Sequence, residues 1–538
     1  MNSEVVETLS PSGTKDQPRE EVRGVPQAAI SVRQVLTRPR VRRWGPPALV
    51  ALVALVVRFR AAGWLTGLYG MHRYDDGVYF TAAAALVHGR MPYRDFIFLH
   101  PPGIAVVLAP FAALGRWIGD ADALVGARVA FIVLGAVSAL LVYRLAARWG
   151  TATAVFAGGA YALSPAAAFD ERVTSLEALG TATVLAAVLL LVRVPAVTTT
   201  AAVRRSVLVG VWTAGALLSL AALTKIWNVV PVLVVTGWFV YTRRGRALRH
   251  FLGGAAVSAA ALVVPFAVAA GPTMWRMVVL DQIGRQSMPV PRLDRLVAVV
   301  GLEIATGRAP QDATVAPFVI WGLVILGALL AWRAQRGRLW VVMAVGQVAV
   351  LIGSPTFYGN YAAFAVPALV LVLAAGASSL PRPGATVVGA VTCTVFAAQS
   401  VVSPLVAERF PGDQIAAALP ADGCVTADAP GTLALAGVLS RNLERGCALP
   451  VDLSGFSMDV GARQDGHRVR RIQNCYWQEF AWDHLSSGSA VILSRKTGNG
   501  FTPAVWDRFD RMETLVDSDG VRLLEPDPVG PQQPLCTR

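Results

Sequence analysis

Three lysines, Lys15, Lys225 and Lys496, are all that the 538 residues contain, so nearly all the positive charge is arginine. Charge of either sign is sparse: 15% of residues are charged, 54% are hydrophobic, and the mean hydropathy is +0.52. That composition excludes an ordinary soluble protein. The net charge of +14 raises nucleic acid as a partner. The arginines, however, flank apolar stretches, as membrane insertion demands, and nucleic acid is set aside. No GxGxxG, Walker A or GxSxG stands in a strand–turn–helix context, which leaves nucleotide-driven transport and serine hydrolysis without support. No CxxC or His-rich cluster suggests zinc, no acidic cluster demands another metal, and no cofactor is implied.

What is present is a series of apolar runs. Residues 1–44 are polar and aperiodic and read as a disordered cytoplasmic tail. Arg33, Arg38, Arg40, Arg42 and Arg43 then hold the N-terminus inside,. The apolar part begins near Pro46, late for a cleaved signal peptide, so an uncleaved anchor is expected. Spans are expected at 46–68, 122–144, 152–169, 174–193, 206–223, 226–242, 251–270, 314–333, 339–354, 361–378 and 384–402, each near the ~20 residues that cross a bilayer core. The run 104–119 is read as a juxtamembrane helix, because counting it as a span would put Arg144 and Arg148 outside. The expectation is an all-α polytopic membrane module over 45–403 with eleven spans and a multi-pass place in the plasma membrane. Arg58 and Arg60, in the outer half of the first span, are read as snorkelling to the interface rather than facing a polar interior.

From residue 404 apolar runs shorten and Asp and Gly rise. Strand-like pieces (Cys424–Thr426, Ala490–Ser494) alternate with helical ones (Leu433–Leu439, Pro503–Arg511). Residues 404–538 are therefore expected to form a small α/β domain outside the membrane. Cys424, Cys447, Cys475 and Cys536 lie there, whereas Cys393 lies in a span. Four cysteines in an oxidising compartment permit two disulfides in three pairings, among which Cys424–Cys447 is preferred; free thiols are the alternative. Tyr476, Trp477, Trp482 and Trp506 suit either a core or stacking on sugars.

The chemistry-bearing stretch is Arg73-Tyr74-Asp75-Asp76-Gly77-Val78-Tyr79-Phe80, just after the first apolar run. Adjacent carboxylates raise one proton affinity, which suits a general base. The competing reading is an N-cap for a helix over Val78–Val87. Asp170 and Glu171 read as ordinary boundary residues.

The Asp75-Asp76 pair and Tyr79 are followed by His88-Gly89-Arg90-Met91-Pro92-Tyr93-Arg94-Asp95-Phe96 and His100-Pro101-Pro102-Gly103. Together they resemble the first external loop of GT-C glycosyltransferases. The nearest likeness is to the protein O-mannosyltransferase and aminoarabinose transferase branch, in its actinobacterial form. Arg172 and Glu177 match that family's Arg-then-acid spacing, with Glu in place of the usual Asp. Thr224-Lys225 is similar to its Thr-Lys at a span end, and Tyr358–Pro367 to its late Tyr-rich segment. The resemblance covers roughly 46–400.

It implies catalytic loop 71–119 and a sugar donor carried on polyprenyl phosphate, mannose or a pentose such as arabinose. The acceptor would be a hydroxyl of a glycan, lipid or protein at the outer face. Asp75 would be the base, with Asp76 orienting it or touching the acceptor. Lys225 and Arg285 would face the carrier phosphate, and Arg172, Glu177, His100 and Tyr358 would complete the substrate site. The alternative is a transporter or flippase of a lipid-linked saccharide, which needs charge buried in mid-span.

Overall fold

The computed structural model describes residues 39–192, 201–285, 290–301, 315–402, 409–464, 467–495, 500–526 and 535–536. The tail expected over 1–44 falls outside the described residues as far as residue 38. The described residues from Pro47 onward belong to one compact unit.

Each of the eleven expected stretches contains an α-helix, as does the run after Pro102: Gly103–Ile118. Among the described residues, five helices are long and apolar enough to cross a membrane: Arg43–Ala61, Asp120–Trp149, Arg205–Thr224, Gly245–Ala270 and Ala316–Arg333. A sixth candidate is the pair Thr151–Leu163 and Pro165–Glu171, bent by 58°. Ser164 breaks that pair. Its backbone is extended, its hydroxyl accepts from Ala167 N, and Pro165 follows at the first helical position, where a missing N–H is harmless,. The other apolar helices are shorter, including Leu176–Val192, Arg338–Gly353 and Val366–Ala377. Their mutual core is small and aliphatic, with Ala, Val and Leu of Val366–Ala377 buried along its whole length.

In the C-terminal segment the strands are β1 (Val425–Ala427), β2 (Arg463–Gln464), β3 (His467–Arg468), β4 (Ala490–Leu493), β5 (Glu513–Ser518) and β6 (Val521–Glu525). Four of them form a sheet of order β1-β4-β6-β5. β1 and β4 run parallel, while β4–β6 and β6–β5 are antiparallel. Side chains alternate across this sheet with the period of two that a strand imposes. Val425, Ala427, Ala490, Ile492, Val521 and Leu523 join a cluster with Phe80, Phe98, Ile104, Leu124 and Phe266. Val491, Leu493 and Leu524 point the other way, into Trp477, Trp482, Phe501 and Phe509. The sheet is thus a layer between a tryptophan core and the helices Tyr74–Val87 and Gly103–Ile118. Trp477, Trp482 and Trp506 are core residues here, and Tyr476 is exposed. The disulfides are Cys424–Cys447 and Cys475–Cys536.

Two sequence expectations are corrected. Arg58 does not snorkel: it is 0% exposed and donates from Nε to Glu171 Oε2 at 2.6 Å, with Nη1 on Ala162 O at 3.0 Å. Nor are Asp170 and Glu171 boundary residues. Both are buried and ion-paired, Glu171 also accepting from Tyr161 Oη at 2.6 Å. The reason is common to both. A guanidinium this deep is tolerated when a carboxylate and carbonyls satisfy it, and the bent Pro165–Glu171 helix delivers them.

Candidate active site

The Tyr74–Val87 helix begins four residues before the expected Val78, with Arg73 as a cap residue that makes no side-chain cap bond. Asp75 and Asp76 stand in its first turn, where the helix dipole favours negative charge,. Neither is the N-cap, and the capping alternative is set aside. Consecutive helical residues project about 100° apart, so the two carboxylates meet different surroundings.

Asp76 faces inward and is 1% exposed. It accepts from Arg128 Nε at 3.0 Å and Nη2 at 2.5 Å, and from Thr174 N at 3.0 Å and Oγ1 at 2.6 Å. Arg128 also donates to the carbonyls of Leu68 and Gly70. Burial pushes the Asp76 carboxyl up, but Arg128, Thr174 and His72 outweigh it and hold it below the usual carboxylate range,. Asp75 is different: its side chain is 49% exposed and, among the described residues, its nearest cation is Arg73, at 3.8 Å. Arg73 itself is committed to Asp170, at 2.8 Å. The Asp75 charge acts on Tyr79, Tyr358, Tyr361 and Asp452, which marks out the groups around it.

The remaining expected residues divide. Lys225 is buried, ion-paired to Glu177, with Nζ 4.1 Å and 3.9 Å from the ring centres of Trp227 and Tyr361. Tyr358 packs edge-on against Tyr361 with ring centres 5.4 Å apart. His100 meets Tyr79 edge-on at 5.4 Å. Burial, then Arg285 and Lys225, hold the His100 imidazole well below its ordinary value, which favours its uncharged form,. Asp75, Glu177, Lys225, His100, Arg285 and Tyr358 therefore belong to one neighbourhood. Arg172 stands behind it, over the Phe169 ring at 4.2 Å and donating to Ala61 O at 2.9 Å.

The C-terminal segment reaches the same place. Tyr74 Oη donates to Asp452 Oδ1 at 3.0 Å and accepts from Ser454 N at 3.0 Å. Arg495 lies 5.0 Å from the Tyr74 ring centre and donates to Ser454 Oγ at 2.7 Å. Sequence reasoning missed Tyr74, Arg128, Asp452 and Arg495 as neighbours of the pair. Arg128, a lone arginine inside an apolar run, was the one available signal.

No family model and no curated protein matches the chain. Among solved structures it is similar to ArnT, an aminoarabinose transferase, from Cupriavidus metallidurans in the apo state. That match has TM-score 0.59 and 15% identity and covers 92% of this chain and 100% of that one. The chain has the GT-C fold. The undecaprenyl phosphate-bound form of ArnT matches with TM-score 0.58 and 14% identity, over 90% and 99% of the two chains. The Archaeoglobus fulgidus oligosaccharyltransferase matches with TM-score 0.52 and 13% identity, over 84% and 70%. With this fold and its apolar helices, the protein is a multi-pass membrane protein.

Proposed function

We propose that this protein is a membrane glycosyltransferase that moves a sugar from a polyprenyl phosphate carrier to a hydroxyl acceptor. One observation carries the reading. Of two adjacent carboxylates, Asp76 is consumed by Arg128 and Thr174, while Asp75 is half-exposed and, among the described residues, has only a distant cation. That is the division expected between a positioning carboxylate and a base. ArnT, whose fold this chain shares, has been crystallised with undecaprenyl phosphate, which supports a carrier of that class.

In this reading Asp75 takes the acceptor's proton as its oxygen attacks the anomeric carbon. The bond to the carrier phosphate breaks in the same displacement, the configuration inverts, and polyprenyl phosphate leaves with the electron pair. A phosphate monoester is a competent leaving group and requires no general acid. Lys225, fixed by Glu177, and Arg285 would stabilise its charge,. His100 would bond sugar or phosphate, and Arg172 and Tyr358 would shape the site. Eleven spans with the N-terminus inside would place residues 71–119 and the segment from 404 at the outer face. The sugar in this reading is mannose or a pentose, and the acceptor a glycan, lipid or protein.

The test is transfer by purified protein in lipid, supplied with polyprenyl phosphate mannose or arabinose. Asp75→Asn should lower turnover by a factor on the order of 10²–10⁴, the usual worth of a general base, with folding intact. Equal turnover in mutant and wild type would remove Asp75 from the reaction.

A further inference from the structure

Among the described residues, the Asp75 side chain has one charged partner, Arg73, at 3.8 Å. Where it points therefore depends on the backbone of the Tyr74–Val87 helix and on the residues either side. Asp76 fixes one side, through Arg128 and Thr174. Tyr74, the first residue of the helix, fixes the other.

Tyr74 is fastened to the C-terminal segment. Its hydroxyl donates to Asp452 Oδ1 and accepts from Ser454 N, both at 3.0 Å. Each partner is anchored in turn. Asp452 Oδ1 also accepts from Gly455 N at 2.8 Å, and a Cβ on Gly455 would stand 2.4 Å from Asp452 Oδ2. Arg495 donates from Nη2 to Ser454 Oγ at 2.7 Å and to Asp428 O at 3.0 Å. Arg495 N donates to Asp428 Oδ2 at 2.8 Å, which ties this network to the ends of β1 and β4.

The backbone that presents Asp452 is strained. Val451 has φ +61°, in the left-handed region, where a β-branched side chain is an outlier,. Asp452 N donates to Pro450 O at 2.7 Å, closing a three-residue turn with a positive φ at its centre, a rare and strained form,. Val451 packs into the cluster shared with the first-loop helices, and Leu453 into the tryptophan core. Asp452 is held between them. Strain of this kind persists only where the surroundings over-determine it, and it gathers at functional sites. Other contacts already tie the two parts of the chain together, such as Ser440 to Asp120 and Arg90 to Cys447. The strained turn is set apart because it meets the residue adjoining Asp75.

We propose that Asp452 is a positioning residue for Asp75, locking through Tyr74 the first turn of the helix that carries it. This rests on the glycosyltransferase reading for what Asp75 does, but not for how its helix is held.

The experiment uses the full chain in detergent micelles, as wild type, Tyr74→Phe, Asp452→Ala, Asp452→Asn and the double variant of Tyr74→Phe with Asp452→Ala. Hydrogen–deuterium exchange is read at Val78 and Tyr79, whose N–H groups bond the carbonyls of Tyr74 and Asp75 in a helix. Tyr74→Phe and Asp452→Ala should each speed that exchange roughly threefold to tenfold, the worth of one hydrogen bond. Ala83 and Ala84, further along the helix, should exchange as in wild type, which a misfolded variant would not satisfy. The double variant should be no faster than Tyr74→Phe, since the phenylalanine already removes the bond. Asp452→Asn keeps an acceptor oxygen and should recover most of what Asp452→Ala loses. Sugar transfer should follow the same order. In Tyr74→Phe and Asp452→Ala, kcat should fall roughly tenfold to a hundredfold with KM little changed, because a misplaced base costs turnover rather than substrate binding. Wild-type exchange in both single variants overturns the proposal. So does wild-type kcat in a variant whose exchange is faster, or an Asp452→Asn as impaired as Asp452→Ala. A wild-type protein that transfers neither sugar defeats the transferase reading instead, and faster exchange in the variants still upholds the lock on the first turn.

Discussion

Asp76 illustrates how strongly one buried carboxylate can be committed. Asp76→Asn leaves Arg128 buried with its carbonyl partners but without its counter-charge. Breaking one side of such a pair costs about 3–5 kcal/mol, whereas replacing both sides with apolar groups is often neutral. Asp76→Asn is therefore expected to lower the Tm of the purified protein by several degrees, and the double variant Asp76→Asn with Arg128→Met to recover much of it. The pH dependence has a definite sign. A carboxyl whose native value is depressed contributes stability above its unfolded value and loses it as pH falls through the native one,. The Tm gap between wild type and Asp76→Asn should be flat near neutrality and close only below the ordinary carboxylate range. An unaltered Tm with abolished transfer would instead make Asp76 a chemical participant. The sequence made the pair conspicuous but could not show how differently the two carboxylates are surrounded, because that depends on Arg128, 52 residues from Asp76. The same holds for Arg58: that it is buried follows from Glu171, 113 residues on. Long-range ion pairs of this kind leave no local pattern.

At the scale of elements, the Tyr74–Val87 helix and the Pro430–Leu435 helix touch through glycine. A Cβ on Gly77 would run into the backbone of Gly431, with Gly431 Cα at 2.5 Å. Two opposing effects decide the outcome of Gly77→Ala. Helix propensity favours alanine over glycine by about 1 kcal/mol, and overpacking against backbone costs about 1–3 kcal/mol. The clash is with main chain, which cannot rotate away, so net destabilisation is expected. Turnover should also fall, since Asp75 sits two residues away on the displaced helix. Gly126→Ala is the control: its Cβ would meet nothing within 4 Å, and propensity alone should leave Tm unchanged or slightly raised. Equal Tm for both variants would show that the two helices are not in register-defining contact. Helices as such were legible from apolar runs, since hydrophobicity alone reports them. Their ends were less so. The expected start at Val78 came from reading Asp75 and Asp76 as caps, but acidic residues favour the first turn for the same electrostatic reason that they favour the cap,.

For the whole molecule, the composition change near residue 404 suggested an appended domain, and the packing shows a stronger dependence. One face of the sheet shares its core with the helices of the first loop. Polar contacts accompany it: Ser440 N and Oγ donate to Asp120 at 2.8 Å and 2.5 Å, Arg90 donates to Cys447 O at 2.8 Å, and Tyr74 donates to Asp452 at 3.0 Å. The strand-like run Ala490–Leu493 is buried at every position, but an apolar run does not say what covers its two faces, because a strand pattern carries no partner identity,. A chain ending at residue 403 would expose the apolar faces formed by Phe80, Phe98, Ile104 and Leu124, and leave Asp120 without its Ser440 donors. Contiguous exposed apolar surface of that kind drives association. The truncated protein is therefore expected to elute as aggregate in size-exclusion chromatography and to transfer no sugar, even though its apolar helices are intact. Co-expression of residues 404–538 with an export signal should restore a monodisperse complex, because the interface is made of side chains and not of chain continuity. A monodisperse, active fragment 1–403 would show instead that the shared core contributes little, and would return the C-terminal segment to the status of an appendage.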